Sequence, residues 1–324
     1  MHARTLLALW AAVCAAISVA VPAQAAEKIS FGIIGSPGAS SWLYYIAQAK
    51  GFFADAGIEP DFVYVPSAPG LMQQLVAGSL DVVGVDGTVE AIHADAAGAK
   101  VAILRNISGK TAYELLAKPS IKSVGDLKGK KICIGGSKDI NRVYLERVMT
   151  ANGIKAGQYD LIIVPNTAER LAALKSGAVD ATMLLPPESF VARRDGFRNV
   201  AWIKDYAGDL PFASADATDA WIDAHPGAAK KVIHLLDRSI AWFYDEKNRD
   251  EAIDILVKVS HADRGLVAQS YDVIRKVGMF PNSNAVSRAG LQHLIDAMKS
   301  IGDLQGVAIS PGDLVDAKLT ELAP

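Results

Sequence analysis

Cysteine is almost missing from this chain: Cys14 and Cys133 are the two that occur in 324 residues. Cys14 sits inside an apolar N-terminal run, which leaves Cys133 alone in the body of the protein. One cysteine makes no internal disulfide and no cysteine-based metal site. It lies in Lys131-Ile132-Cys133-Ile134, a pattern that reads as a buried strand, so inert core is its expected role. Histidine is also scarce, six in all. His2 falls in the leader. His93 and His234 read as helical, His225 and His261 as helix starts, and His293 belongs to the tail. None is four residues from another, which excludes the helical two-histidine metal motif. None stands beside a serine or cysteine on a strand-end loop, so no nucleophile–base pair is offered. The net charge of −2 gives no electrostatic case for nucleic acid. No G-x-x-x-x-G-K-[ST] loop occurs, so ATP is not expected to bind this chain, and no cofactor is called for. Beyond the leader no apolar run reaches the roughly 20 residues that span a membrane.

What is present begins with that leader. His2 and Arg4 form a short polar start, 6–21 is apolar, and Ala23-Gln24-Ala25 is an A-x-A cleavage site. These features predict a signal peptide over 1–25, cleaved after Ala25, and a mature protein in the periplasm. Cys14 does not read as a lipoprotein cysteine, because Val13 precedes it where a small residue is wanted. The remaining length suffices for two domains with their own cores. A composition of 51% hydrophobic and 21% charged residues is that of a folded chain.

One pattern occurs twice. Leu75-Val76-Ala77-Gly78-Ser79-Leu80-Asp81-Val82 matches Leu174-Lys175-Ser176-Gly177-Ala178-Val179-Asp180-Ala181. Each copy reads as a helix end, a glycine in the left-handed position just past it, and an aspartate entering a short apolar strand. The offset is too long for a solenoid repeat, so it predicts two similar α/β lobes. The continuations differ: Val85-Asp86-Gly87-Thr88 in one copy, Leu185-Pro186-Pro187-Glu188 in the other. Around the repeats, short strands alternate with helices, which predicts parallel sheets covered on both faces. Ser108-Gly109-Lys110 reads as a crossing into the second lobe, and the chain is expected to return near Asp205. Lobe I then comprises 26–107 and 206–324, with a helical C-terminal part, and lobe II comprises 108–205.

This order of parts resembles the periplasmic solute-binding proteins of ABC importers, in particular the nitrate/sulfonate/taurine group, which includes thiamine-precursor binders. The resemblance is carried by Ala47-Gln48-Ala49-Lys50-Gly51-Phe52-Phe53 with Gly57-Ile58-Glu59. It is carried also by Leu174, Gly177, Val179-Asp180-Ala181 and Pro187-Glu188, and by His225-Pro226 with the helix after them. It spans essentially the whole mature chain. The chain departs from the group at Pro186-Pro187-Glu188-Ser189-Phe190, where many relatives carry an acidic residue before a single proline. The resemblance implies an α/β fold of two Rossmann-like lobes with a ligand cleft between them and two crossing segments, the type II periplasmic binding protein. It implies capture of a small-molecule solute, an organic anion or zwitterion, by hinged closure. It further implies delivery to an ABC permease with a separate ATP-binding subunit, by a monomer that is not an enzyme. A thiamine-precursor binder and a sensory binding protein are alternatives. A pyrimidine-synthase-like enzyme is a remote one, since those members carry a cysteine-rich iron motif and act inside the cell.

Candidate site residues follow from the loops. Four of them, 35–42, 66–70, 135–139 and 165–167, lie at strand ends and open helices, whose free N–H groups can hold an anion. Ser36, Ser40, Ser41, Ser67 and Ser137 add hydroxyl donors. For Ser40, Ser41 and Ser137, helix capping and ligand contact both stand open; Asn166, also a candidate, and Asp139 read first as caps. Trp42 is the candidate ligand-covering aromatic, its alternative being to pack beneath the loop. Lys138 and Arg142 are the cations beside a lobe II loop. Asp86 and Glu188 are expected to face each other across the cleft, with Thr88 beside Asp86. Two carboxylates there suit an amine or pyrimidine donor better than a simple anion.

Overall fold

The computed structural model describes residues 26–283, 285–320 and 322–323. The signal peptide expected over 1–25 lies outside the described residues, as does Cys14. The chain begins with β1 (Glu27–Ile34), α1 (Trp42–Ala49), α2 (Phe52–Asp55), β2 (Ile58–Val65), α3 (Ala68–Val76), β3 (Val82–Gly87), α4 (Thr88–Ala96) and β4 (Val101–Ser108). It continues through β5 (Glu114–Ala117), β6 (Lys131–Ile134), α5 (Ile140–Ala151), β7 (Asp160–Ile163), α6 (Thr167–Lys175), β8 (Ala181–Leu184), α7 (Glu188–Arg194), β9 (Arg198–Trp202) and α8 (Lys204–Ala207). The last part is β10 (Ala213–Thr218), α9 (Asp219–Ala224), α10 (Pro226–Tyr244), α11 (Arg249–Ser260), α12 (Arg264–Val277) and α13 (Arg288–Ser300).

Two five-stranded sheets result, ordered β2-β1-β3-β10-β4 and β7-β6-β8-β5-β9. The orders are equivalent position by position, and β3 and β8, the strands of the two repeat copies, occupy the same place in each. The predicted parallel sheets are in fact mixed. β1 runs parallel to β2 and β3, and β6 parallel to β7 and β8. β10 is antiparallel to both its neighbours, and so is β5. The crossings explain this. β4 ends at Ser108 and the chain passes directly to β5 in the other sheet; after β9 it comes back to β10. A strand arriving from the other lobe enters at the edge where its neighbours end, so it must run against them.

Both repeat glycines adopt the left-handed backbone, Gly78 at φ +73° and Gly177 at φ +79°. Each follows the residue capping its helix and donates back into the last turn, to Leu75 O (3.0 Å) and Leu174 O (3.1 Å). The repeat aspartates tie each strand start to its neighbour. Asp81 accepts from Ser30 N (2.8 Å) and Ser30 Oγ (2.7 Å) on β1. Asp180 accepts from Lys131 N (3.0 Å) on β6 and from Lys118 Nζ (2.7 Å). The pattern recurs because both sheets need the same stop and the same pin.

The core of lobe I is built around α1. Trp42 through Ala47 are all buried, as a helix apolar on every side must be. The sheet lies on one side, while α10 and α11 pack against the other. The C-terminal helical part is therefore the second wall of lobe I. Cys133 is buried within the lobe II core.

Candidate functional site

A cleft of ≈ 310 Å³ lies between the sheets, lined from both. Its lobe I wall comes from the ends of β1 and β3 and the loops after them. Its lobe II wall comes from the loops that open α5, α6 and α7. These are the carboxyl ends of parallel strands, where α/β sheets leave a crevice for ligands.

Of the residues singled out from sequence, Ser36, Ser40, Ser41, Asp86, Asn166 and Glu188 line this cleft. The others do not. Trp42 is 0% exposed, donates from Nε1 to Ala252 O at 2.8 Å, and packs edge-on against Phe243 and Tyr271. It is core beneath the loop and covers no ligand. Ser67 caps α3, accepting from Gly70 N at 3.3 Å. Thr88 is buried behind the wall, its N–H donating to Phe212 O. Ser137 is exposed and outside the lining, and Asp139, two residues on, lines the cleft instead. Lys138 reaches Asp303 (3.5 Å), and Arg142 pairs with Glu146 (2.8 Å), so neither supplies a charge to the cleft.

Sequence reasoning missed Glu90, Asn141, Arg170 and Tyr113, which also line the cleft. A signal existed for two of them. Glu90 stands four residues after Asp86, in the first turn of the helix that follows it, and Asn141 two residues after the cap Asp139. Arg170 is 2% exposed, and its guanidinium is committed to the protein. It donates to Met183 O (3.2 Å), Val164 O (3.1 Å), Pro165 O (2.7 Å) and Thr167 Oγ1 (2.9 Å). Arg170 thus staples the lobe II loops together.

Three helix starts facing the cleft, those of α4, α5 and α6, carry the protein's own oxygens. Asp139 Oδ1 accepts from Arg142 N (3.2 Å) at the start of α5. Asn166 Oδ1 accepts from Ala168 N (2.8 Å) and Glu169 N (3.4 Å) at the start of α6. Asp86 Oδ1 accepts from Gly87 N (2.8 Å) just before α4, and Glu90 lies in the first turn of that helix. Gly87 and Gly135 are small for this reason: a Cβ on either would collide with the carboxylate of Glu90 or Asp139 respectively.

Burial dominates the electrostatics. It pushes the carboxyls of Asp86 and Glu90 well above the usual range; repulsion from Asp86 adds at Glu90, and Asp216 and Asp139, when ionised, add at both. Burial raises Asp139 to about 6, against the lowering pull of the Arg142 N–H and Arg170. It raises Glu188 too. Asp216, 0% exposed on β10, is raised by burial to about 7. Asp86 Oδ2, Glu90 Oε2 and Asn141 Oδ1 have no hydrogen-bond partner. Among the described residues, no group of three or more His, Cys, Asp or Glu side chains is arranged to hold a metal ion.

With this geometry in hand, comparison with known proteins is informative. The profile of a family described as "NMT1/THI5 like" matches residues 39–249. A Brucella abortus protein described as a "Putative binding protein" is 28% identical over 226 residues, covering 68% of this chain and 67% of its own. Among solved structures, the alkanesulfonate-binding protein SsuA from Xanthomonas axonopodis pv. citri superposes with a TM-score of 0.73 at 20% identity, over 91% of this chain and 98% of that one. The periplasmic nitrate-binding protein NrtA from Synechocystis PCC 6803 gives 0.65 at 17% identity, over 75% and 69%. At such identities the likeness is one of fold: two α/β lobes of the periplasmic binding protein type.

Proposed function

The chain belongs to the NMT1/THI5-like family, and from that premise we propose that it is the extracytoplasmic solute-binding component of an ABC import system. The observation that carries the reading is the cleft itself, walled by strand-end loops of both lobes and floored by unpartnered polar groups. A solute held there touches both walls only when the lobes are together, so binding shifts the molecule toward its closed form. The crossings at Ser108-Gly109-Lys110 and near Asp205 act as hinges, with 26–107 and 206–324 moving as lobe I and 108–205 as lobe II. The signal peptide is removed after Ala25, and the mature monomer works in the periplasm. The closed form delivers its solute to a permease whose ATP-binding subunit supplies the energy. The binding-protein names of its relatives support a receptor rather than a catalyst.

A second reading, a thiamine-precursor binder, is favoured by one observation: the cleft carboxylates can accept from the amino group of a pyrimidine. Both are tested by a thermal-shift screen of the mature protein against sulfonates, nitrate, carboxylates, taurine, pyrimidines and amines. At a hundredfold excess over its dissociation constant the true solute stabilises the fold by about 2.7 kcal/mol. A flat response across every class would reject the receptor reading.

A further inference from the structure

We propose that the cleft takes a small organic cation, a protonated amine or amidinium, seated on Asp86 and Glu90 of lobe I and facing Asn141 of lobe II. The proposal rests on the reading of this cleft as a solute site, and it assigns that solute its charge.

The first argument is that three of the helix starts at the cleft already carry the protein's own oxygens. A helix start attracts anions through its free N–H groups and dipole. At this cleft Arg142 N at the start of α5 is already bonded to Asp139, and Ala168 N and Glu169 N at the start of α6 to Asn166. The entry to α4 carries Asp86 and Glu90. Arg170 is the one cation among the described lining residues, and four of its N–H donations go to Met183, Val164, Pro165 and Thr167. A sulfonate or nitrate would therefore meet carboxylates without a free cation to balance them.

The second argument is that three oxygens wait for donors. Asp86, Glu90 and Asn141 are 2%, 5% and 5% exposed, and each lines the cleft with one unpartnered oxygen. Asn141 is a neutral side chain from the other lobe, and its Nδ2 donates to Asp139 Oδ2 (3.4 Å), leaving Oδ1 open. An unpartnered buried acceptor is costly, by about 1–3 kcal/mol. A ligand with several N–H donors satisfies all three, and its positive charge offsets their crowding. The volume of ≈ 310 Å³ admits only a small molecule.

The titratable and charged groups facing this seat are Asp86 from β3, Glu90 from α4, Asp216 from β10, Asp139 from the loop before α5, Glu188 from α7, Arg170 from α6, and Tyr113 before β5. Burial raises the carboxyls in the free protein, Asp139 to about 6, so they keep their protons to higher pH than ordinary carboxyls do. A cation prefers them ionised and must displace those protons. Its affinity therefore rises with pH across the interval in which the free carboxyls lose their protons.

Titration calorimetry of the mature protein with butylamine, agmatine and benzamidine, against butanesulfonate and nitrate, tests this. At least one cation binds, neither anion does, and the cation binds more tightly at about pH 7.5 than at about pH 5.5. Asp86→Asn and Glu90→Gln each weaken that binding at least about tenfold, the loss of a charged buried hydrogen bond, while circular dichroism shows both variants folded. Should a variant not fold, the pH profile of the wild type carries the test. Binding of butanesulfonate or nitrate with silence from every cation overturns the charge assignment and leaves the receptor reading standing. Cation binding that is insensitive to both substitutions or independent of pH overturns it as well. Silence from all five solutes overturns it too, and the wider thermal-shift panel then decides whether the receptor reading falls with it.

Discussion

A single residue, Trp42, shows how far a side chain's direction can depart from its position in the chain. It follows the cleft loop directly, yet its ring points away, under the loop, into α11 and α12. Trp42→Ala therefore removes core rather than a ligand contact. The expected loss is about 3–5 kcal/mol of stability, read as a lowered urea midpoint. Unchanged stability with lost binding would return Trp42 to the site. Asp216 makes a second prediction. Its carboxyl is buried, both oxygens lack partners, and its pKa is raised to about 7. The folded state thus keeps a proton that the unfolded chain, near pKa 3.9, has released. Stability is full below the unfolded value and is lost as pH rises toward about 7. Asp216→Asn removes this slope, so the variant melts higher than the wild type at about pH 8 and much the same at about pH 4. Parallel melting curves across that interval would show that Asp216 does not titrate as described.

At the scale of elements, the repeat is scaffold. Gly78 and Gly177 stop helices, and Asp81 and Asp180 pin strands. Gly177→Ala meets ordinary space, Lys118 Nζ at 3.9 Å being its nearest neighbour, so its cost is conformational. That cost is about 1–2 kcal/mol, with binding retained. Asp81→Ala removes the carboxylate that accepts from both Ser30 N and Ser30 Oγ and should cost about 1–3 kcal/mol, again without loss of ligand affinity. Chemical denaturation and calorimetry on the same preparations separate the two effects. The repeat was legible because a helix stop and a strand start are local events. The antiparallel β5 and β10 were not, because their direction depends on where the chain enters the sheet. Glu90 and Arg170 escaped for a similar reason, since a polar residue in the first turn of a helix looks the same in sequence whether it faces solvent or a cleft.

At the scale of the molecule, the two lobes also meet through side chains. Lys138, in the loop before α5, reaches Asp303 beyond α13, and Asp303 also bonds His93 Nε2 at 2.6 Å. The lysine is largely exposed, so this pair is a weak latch, worth about 0.2–1 kcal/mol. Lys138→Ala should favour the open form and weaken binding of any solute that drives closure by less than about fivefold, the same energy seen in affinity. Small-angle scattering with and without solute would report the change in compactness. An unaltered affinity would mean that the latch does not bias closure.

By itself the sequence determined the class of the protein. The repeat marked two lobes. The ordered motifs from Lys50-Gly51-Phe52-Phe53 to Pro187-Glu188 pointed to the binding-protein fold. All of these are read from neighbours along the chain. Only the tertiary structure decided the character of the cleft. It turned Trp42 inward, spent Arg170 on carbonyls, filled the helix starts with Asp139 and Asn166, and left Asp86, Glu90 and Asn141 with open acceptors. Which groups are left without a partner depends on distances between segments far apart in the chain, and those exist only once both sheets are in place.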